Sequence, residues 1–152
     1  FYDDKDSRQF VKLHFDKHIL DAYDKLIPGA YQADLFRYCY LYIHGGCYFD
    51  AKMILKEPLR KWVGTNDDII FCQDRPYNAY LNAIILIKPL NNIMLNIINE
   101  CVKRINDNFY GHNALCPTGP RLVWDICNNI KHGTTYFDKC TCFYFALKRS
   151  SI

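Results

Sequence analysis

The chain has 152 residues, half of them hydrophobic and 23% charged, which is enough apolar material for one domain with its own core and too apolar for wholesale disorder. Its formal charge of +3 is too small to argue for a nucleic-acid partner without a concentrated basic patch. No apolar run reaches membrane-spanning length; the longest, such as Ala83 to Ile87, is that of a buried strand.

In chain order, Asp3 and Asp4 are placed to cap a helix from about Lys5 to Phe15. A second helix is predicted from near Asp16 to about Leu26, with Ile19, Leu20, Tyr23 and Leu26 or Ile27 on its apolar face. Pro28-Gly29 forces a turn. A third helix follows, with Leu35, Cys39, Tyr42 and Ile43 toward the core. Asp34 and Arg37 lie three residues apart and so share a face. Gly45-Gly46 suits its C-cap, and His44 in the last turn complements the helix dipole. Cys47, Tyr48 and Phe49 then read as a short apolar strand that ends at Asp50.

Strands are expected at Asp68 to Gln73 and Tyr80 to Lys88, around a loop from Asp74 to Asn78. Asn82 interrupts the second, either as an edge-strand asparagine meeting backbone or as a ligand contact. The strongest helix follows Pro89 and Asn91-Asn92, with Ile93, Met94, Ile97, Ile98, Cys101, Val102 and Ile105 at three- and four-residue intervals. Phe109 to Pro117 is a loop that carries His112 and Asn113. Thr118 reads as the N-cap of a last helix, with Pro120 in its first turn and an end at Gly133. Thr134 to Leu147 suits one or two strands. Helices and strands combine into an α/β class.

Eight cysteines, at 39, 47, 72, 101, 116, 127, 140 and 142, form no C-x-x-C pair. Buried free thiols explain them better than disulfides, and Cys140-x-Cys142 lacks partners at zinc-binding spacing. No signal-peptide pattern opens the sequence, so the cytoplasm is the expected location. There is no P-loop, G-x-S-x-G or H-E-x-x-H motif.

Ligands of open α/β sheets gather beyond the carboxyl ends of strands. Asp34, Arg37 and Asp50 are therefore candidates to converge on one anionic or polyhydroxylated ligand. The plainer readings are a turn cap for Asp50 and a solvent-exposed pair for Asp34 and Arg37. The second would waste the polar face of a helix that is otherwise mostly apolar and aromatic. Tyr31, Tyr38, Tyr40, Tyr42 and Tyr48 are mainly packing residues, some of them able to stack on sugar rings.

The segment from Ala33 to Lys52, ADLFRYCYLYIHGGCYFDAK, resembles the DXD-type glycosyltransferase family of fungal initiating mannosyltransferases, inositol-phosphoceramide mannosyltransferases, and bacterial capsular and viral sugar transferases. The matching elements are Ala33-Asp34, Arg37-Tyr38, Gly45-Gly46 and Tyr48-Phe49-Asp50. FYDDKDSRQFVKLHF and ILDAYDKLIPGAYQADLFRY upstream look like its bacterial and viral branch; Asn82-Ala83 and Thr118-Gly119-Pro120 are similar downstream. Two features depart from the pattern. Asp-x-Asp stands as Asp50-Ala51-Lys52, and the usual first strand before the FYDD segment is absent.

The resemblance implies a single GT-A-type nucleotide-sugar domain over residues 1–152, a mixed sheet flanked by helices and lacking that first strand. It implies hexose transfer, with retention of configuration, from a UDP-sugar or GDP-mannose to a hydroxyl of a glycan, lipid or other acceptor. Asp34, Arg37 and Asp50 would form the catalytic group. Tyr38, Gly46, Lys52 and Asn82 would join them around the donor, and Asp50 would carry a Mn²⁺ or Mg²⁺ ion. Lys52 would either leave a weaker metal dependence or itself neutralise the diphosphate. His112 becomes a candidate metal ligand or acceptor contact. Family members of the secretory pathway carry an upstream anchor, so the Golgi lumen is the expected location if one has been removed. An inactive sugar- or nucleotide-binding relative is the alternative outcome of the Lys52 departure.

Overall fold

The computed structural model describes residues 2–51, 53, 55, 58–61, 63–64, 67–74 and 79–129. Lys52, Cys140, Cys142, the predicted helix end at Gly133 and the strands predicted over Thr134 to Leu147 lie outside the described residues.

Three helices lead. Helix α1 spans Asp4–His14. The Asp3 carboxylate accepts the Asp6 N–H at 2.8 Å and the Asp6 side chain accepts the Asp3 N–H, which is a capping box built from two aspartates. Helix α2 spans Lys17–Lys25, and a two-pronged Arg8–Asp24 pair at 2.7 and 2.8 Å ties it to α1. Helix α3, Gly29–His44, starts after Pro28 and stops at Gly45. Gly45 has φ 63°, and a Cβ there would lie 2.7 Å from the Pro89 ring, so both conformation and close approach require glycine.

Strands β1 (Gly46–Phe49), β2 (Ile69–Asp74) and β3 (Ala79–Ile87) form a sheet in the order β1-β3-β2. Both pairings are antiparallel, so a mixed sheet is not what the described residues form. Among the described residues the order is three helices, three strands and two further helices, α4 (Asn92–Asn106) and α5 (Pro120–Asn129), in keeping with the expected α/β class. Asn91 caps α4 by accepting from Ile93 and Met94 N–H groups.

Side chains alternate across the sheet. Ile69, Phe71 and Ile85 face the helices and pack with Leu35, Tyr38 and Cys39 of α3, Met94, Ile97 and Ile98 of α4, and Leu122 and Val123 of α5. Ile70, Cys72, Ile84 and Leu86 form a smaller cluster on the other face with Phe49, Met53 and Leu59. Leu35 and Cys39 are fully buried as expected, whereas Tyr42 and Ile43 are only half-buried at the margin. Cys39, Cys101, Cys116 and Cys127 are buried free thiols, and Cys72 is buried as well. Cys47 is exposed, contrary to expectation, because β1 is a four-residue edge strand with little cover.

One irregularity of the sheet prepares the site. Phe71 pairs with Ile85, yet its neighbour Cys72 pairs with Leu81, so β3 is out of register with β2 around Asn82 to Ile84. Bulges of this kind re-aim side chains and release backbone groups from the ladder. Asn82 thus sits on the central strand rather than an edge, but with its amide and carbonyl both turned to α3. No helix among the described residues is long and apolar enough to cross a membrane.

Candidate active site

Asp34 is the hub. Its Oδ1 accepts the Asn82 amide at 2.9 Å and lies 3.1 Å from Arg37 Nη2, while its Oδ2 accepts the Thr118 hydroxyl at 2.7 Å. Helix α3, strand β3 and the approach to α5 therefore meet on one carboxylate whose side chain is only 13% exposed. Tyr38, one turn further along α3, lies fully buried beneath it. Its hydroxyl donates to the Thr118 carbonyl at 2.8 Å and accepts the Asn82 amide at 3.0 Å. Tyr38 thus positions the cluster from below.

Arg37 extends the cluster toward the sheet edge. Its Nη1 donates to the Asn82 carbonyl at 2.9 Å and lies 3.5 Å from Asp50 Oδ1, and its Nε donates to the Ala33 carbonyl. The guanidinium also sits 4.5 Å over the Tyr48 ring, whose hydroxyl donates to Asp50 Oδ1 at 2.7 Å. Asp50 is anchored at the end of β1 by its N–H donating to the Ala83 carbonyl at 3.0 Å, and its side chain is 46% exposed. The result is a row, Asp34–Arg37–Asp50, with a buried carboxylate at one end and an accessible one at the other.

The electrostatics follow from that gradient. Burial pushes the Asp34 carboxyl above the ordinary aspartate value, against the opposing pull of Arg37, Thr118 and Asn82. Burial, joined by the Asp34 charge, raises the Tyr38 phenol well above its usual value. Tyr48 is pushed up to about 12, first by burial and then by its bond to Asp50. Both phenols remain neutral donors near pH 7.

Of the residues singled out in the sequence, Asp34, Arg37, Tyr38, Asp50 and Asn82 come together. Gly46 does not, since it begins the strand that Asp50 ends, about 13 Å away at the usual rise per residue. His112 is exposed in the loop before α5. Asn113 beside it accepts the Leu115 N–H at 2.9 Å, a local turn contact. Thr118 corrects the sequence reading. Helix α5 begins at Pro120, so Gly119 stands before it and the Thr118 hydroxyl goes to Asp34 instead of a cap. Tyr48, read as packing, also belongs to the site.

Asp50 is the accessible carboxylate of the row, 46% exposed. A hard, accessible carboxylate suits Mg²⁺ or Mn²⁺, which often take one or two protein carboxylates and complete their shell with phosphate and water. No group of three or more His, Cys, Asp or Glu side chains is gathered among the described residues.

The fold is thus an α/β unit of helices packed on one face of a sheet, with an Asp–Arg–Asp row at a strand's carboxyl end. The chain superposes on a solved structure, PaToxG Glycosyltransferase, with a TM-score of 0.60, 20% sequence identity, and coverage of 82% of this chain and 42% of that one. Residues 2–69 match the family model described as the glycosyltransferase sugar-binding region containing the DXD motif. A glycosyltransferase of Acanthamoeba polyphaga mimivirus is 32% identical over 128 residues, covering 82% of this chain and 49% of the relative. These likenesses support a DXD-type glycosyltransferase family for this chain, which spans about half the length of that viral relative.

Proposed function

We propose that this chain is a GT-A-type glycosyltransferase that moves a hexose from a nucleotide-sugar donor to an acceptor hydroxyl with retention of configuration. The observation that carries this reading is the Asp34–Arg37–Asp50 row, with 3.1 and 3.5 Å between successive charged groups. Asp34 would take donor sugar hydroxyls. An ionised carboxylate offers roughly four acceptor sites, and the contacts from Asn82, Arg37 and Thr118 leave room for one more donor. Arg37 lies beside the sugar and diphosphate, where a planar cation suits both. Asp50 would hold a divalent cation, which as a Lewis acid would offset the charge of the departing diphosphate.

Asp34 is too heavily hydrogen-bonded to serve as a nucleophile, and Asp50 accepts from Tyr48. This favours transfer on a single face of the sugar. The bond from the anomeric carbon to the diphosphate oxygen breaks, the acceptor oxygen bonds to that carbon on the same side, and its proton passes to the diphosphate. The test is a titration with UDP- and GDP-sugars, with and without Mn²⁺, followed by backbone NMR and donor hydrolysis. Shifts should cluster at Asp34, Arg37 and Asp50. Binding without any turnover would favour the inactive sugar-binding relative that Lys52 raises, and shifts confined elsewhere would overturn the donor site.

A further inference from the structure

Arg104 stands near the end of α4, 8% exposed, and its guanidinium is shared among three segments of the chain. Its Nε donates to Glu100 on α4 itself at 3.0 Å, and its Nη2 donates to Asp125 on α5 at 2.9 Å. These two carboxylates offset the buried charge. Nη1 instead donates to a neutral acceptor, the Cys116 carbonyl, at 2.6 Å. Phe109, where the chain leaves α4, sets its ring 5.1 Å from the guanidinium and donates its N–H to the Arg104 carbonyl at 2.9 Å. Both ends of the segment between α4 and α5 are thus gathered on one residue.

The carbonyl that Arg104 holds lies two residues before Thr118. It belongs to the peptide unit that enters Pro117, and proline locks φ at about −65°. Peptide planes are rigid, so the place of the Thr118 Cα relative to that carbonyl turns on one soft rotation, the ψ of Pro117. Thr118 is fully buried and spends two groups on the site. Its hydroxyl donates to Asp34 Oδ2 at 2.7 Å, and its carbonyl accepts the Tyr38 hydroxyl at 2.8 Å. Behind it the loop closes tightly, since a Cβ on Gly119 would stand 3.1 Å from the Leu115 carbonyl oxygen.

A staple between α4 and α5 needs only the two carboxylates. The bond to Cys116 is the one that leads on, through Pro117 and Thr118, to Asp34. We propose that Arg104 is a positioning residue for the donor site: by fixing the Cys116 carbonyl it sets, through Pro117, where the Thr118 hydroxyl meets Asp34. The inference rests on the reading of Asp34 to Asp50 as the donor site.

Arg104→Lys separates this role from that of a helix staple. A single ammonium goes first to the charged carboxylates and cannot also serve the Cys116 carbonyl as the planar fork does. In the labelled whole chain, NMR follows the Asn82 side-chain amide, which donates to both Asp34 and Tyr38. Calorimetry measures binding of UDP-glucose and GDP-mannose. Arg104→Lys should move the Asn82 signals and weaken donor binding about tenfold. Pro117→Ala, which leaves the Arg104 side chain in place and frees the locked rotation, should weaken it about threefold. In a Thr118→Val background neither substitution should weaken binding further, because the coupling passes through that hydroxyl. An Arg104 that only stapled helices would lower thermal stability and leave the Asn82 signals and donor affinity at native values. Native signals and affinity in both Arg104→Lys and Pro117→Ala, or losses that add to that of Thr118→Val, overturn the inference while the donor site stands. If neither nucleotide sugar shifts Asp34 in the native chain, the donor reading fails first, and this positioning role fails with it.

Discussion

The Thr118 hydroxyl donates to Asp34 Oδ2 across 2.7 Å, although 84 residues separate the two in sequence. That bond brings a loop that follows α4 onto a carboxylate carried by α3, at the point where the donor sugar is placed in the proposed mechanism. Thr118 is fully buried, so nothing from solvent replaces its hydroxyl if it is lost.

Thr118→Val keeps the shape and removes the donor. The variant should lose about 1–3 kcal/mol of stability, the cost of leaving a buried acceptor short of a partner. Urea unfolding measures this directly. Donor affinity should fall as well, because Asp34 is no longer held on its second oxygen. A variant as stable as the native chain would show that the bond contributes nothing.

Arg37→Lys keeps the charge but loses the fork. Lysine cannot reach the Ala33 and Asn82 carbonyls, Asp34 and the Tyr48 ring together. The structure adds a stability cost of about 1–3 kcal/mol to the loss of donor use expected from sequence, since Arg37 also braces α3 against β3. Calorimetric donor titration and thermal unfolding should both move. Full donor affinity in the lysine variant would reduce Arg37 to a brace.

Asp34 titrates above the ordinary aspartate value of about 3.9 because burial disfavours its charge. Its carboxyl therefore contributes stability that is fully present below the unfolded value and is lost as pH rises through the folded one. In the proposed mechanism donor binding runs the opposite way, since it would use the ionised form. Affinity for a nucleotide sugar should fall on acidification with a midpoint above that of an unperturbed aspartate, and Asp34→Asn should flatten this limb. A midpoint at or below 3.9 would show that the burial effect is offset.

Asp50→Asn should separate function from folding. Asp50 is the exposed end of the row, so its stability change should stay within roughly 0.5–1 kcal/mol, while Mn²⁺-dependent donor hydrolysis collapses. Lys52→Asp, which restores the family's second carboxylate, should strengthen metal dependence. Full native activity in EDTA would instead assign the diphosphate to Lys52.

The local signals in this chain were strong where they were short-range. Asp3 at a helix start, Pro28 at a turn, Gly45 at a C-cap and the three- and four-residue spacing of Ile93 to Ile105 each state a preference that the fold satisfies. Asp34, Arg37 and Asp50 were legible for the same reason, being compressed into 17 residues of helix, glycine pair and strand, the part of the chain that the family model also covers. What the sequence left open were contacts made between distant segments. Thr118 looked like a helix cap because its next neighbours are Gly119 and Pro120, and a hydroxyl's local and distant partners cannot be told apart from spacing. Asn82 stayed open between an edge-strand asparagine and a ligand contact because nothing in YLNAIILIKP marks the register shift between Phe71 and Cys72 that turns it toward α3. Cys47 looked buried because an apolar run does not reveal whether its strand lies at the centre or edge of a sheet. Tyr48 carried no mark of its hydroxyl bond to Asp50 and its ring contact with Arg37. Propensity and capping act over a few residues and are written in the chain, whereas register, edge position and the partner of a buried polar group depend on which surfaces meet. Those were decided only when α3, β3 and the Thr118 segment closed on one carboxylate.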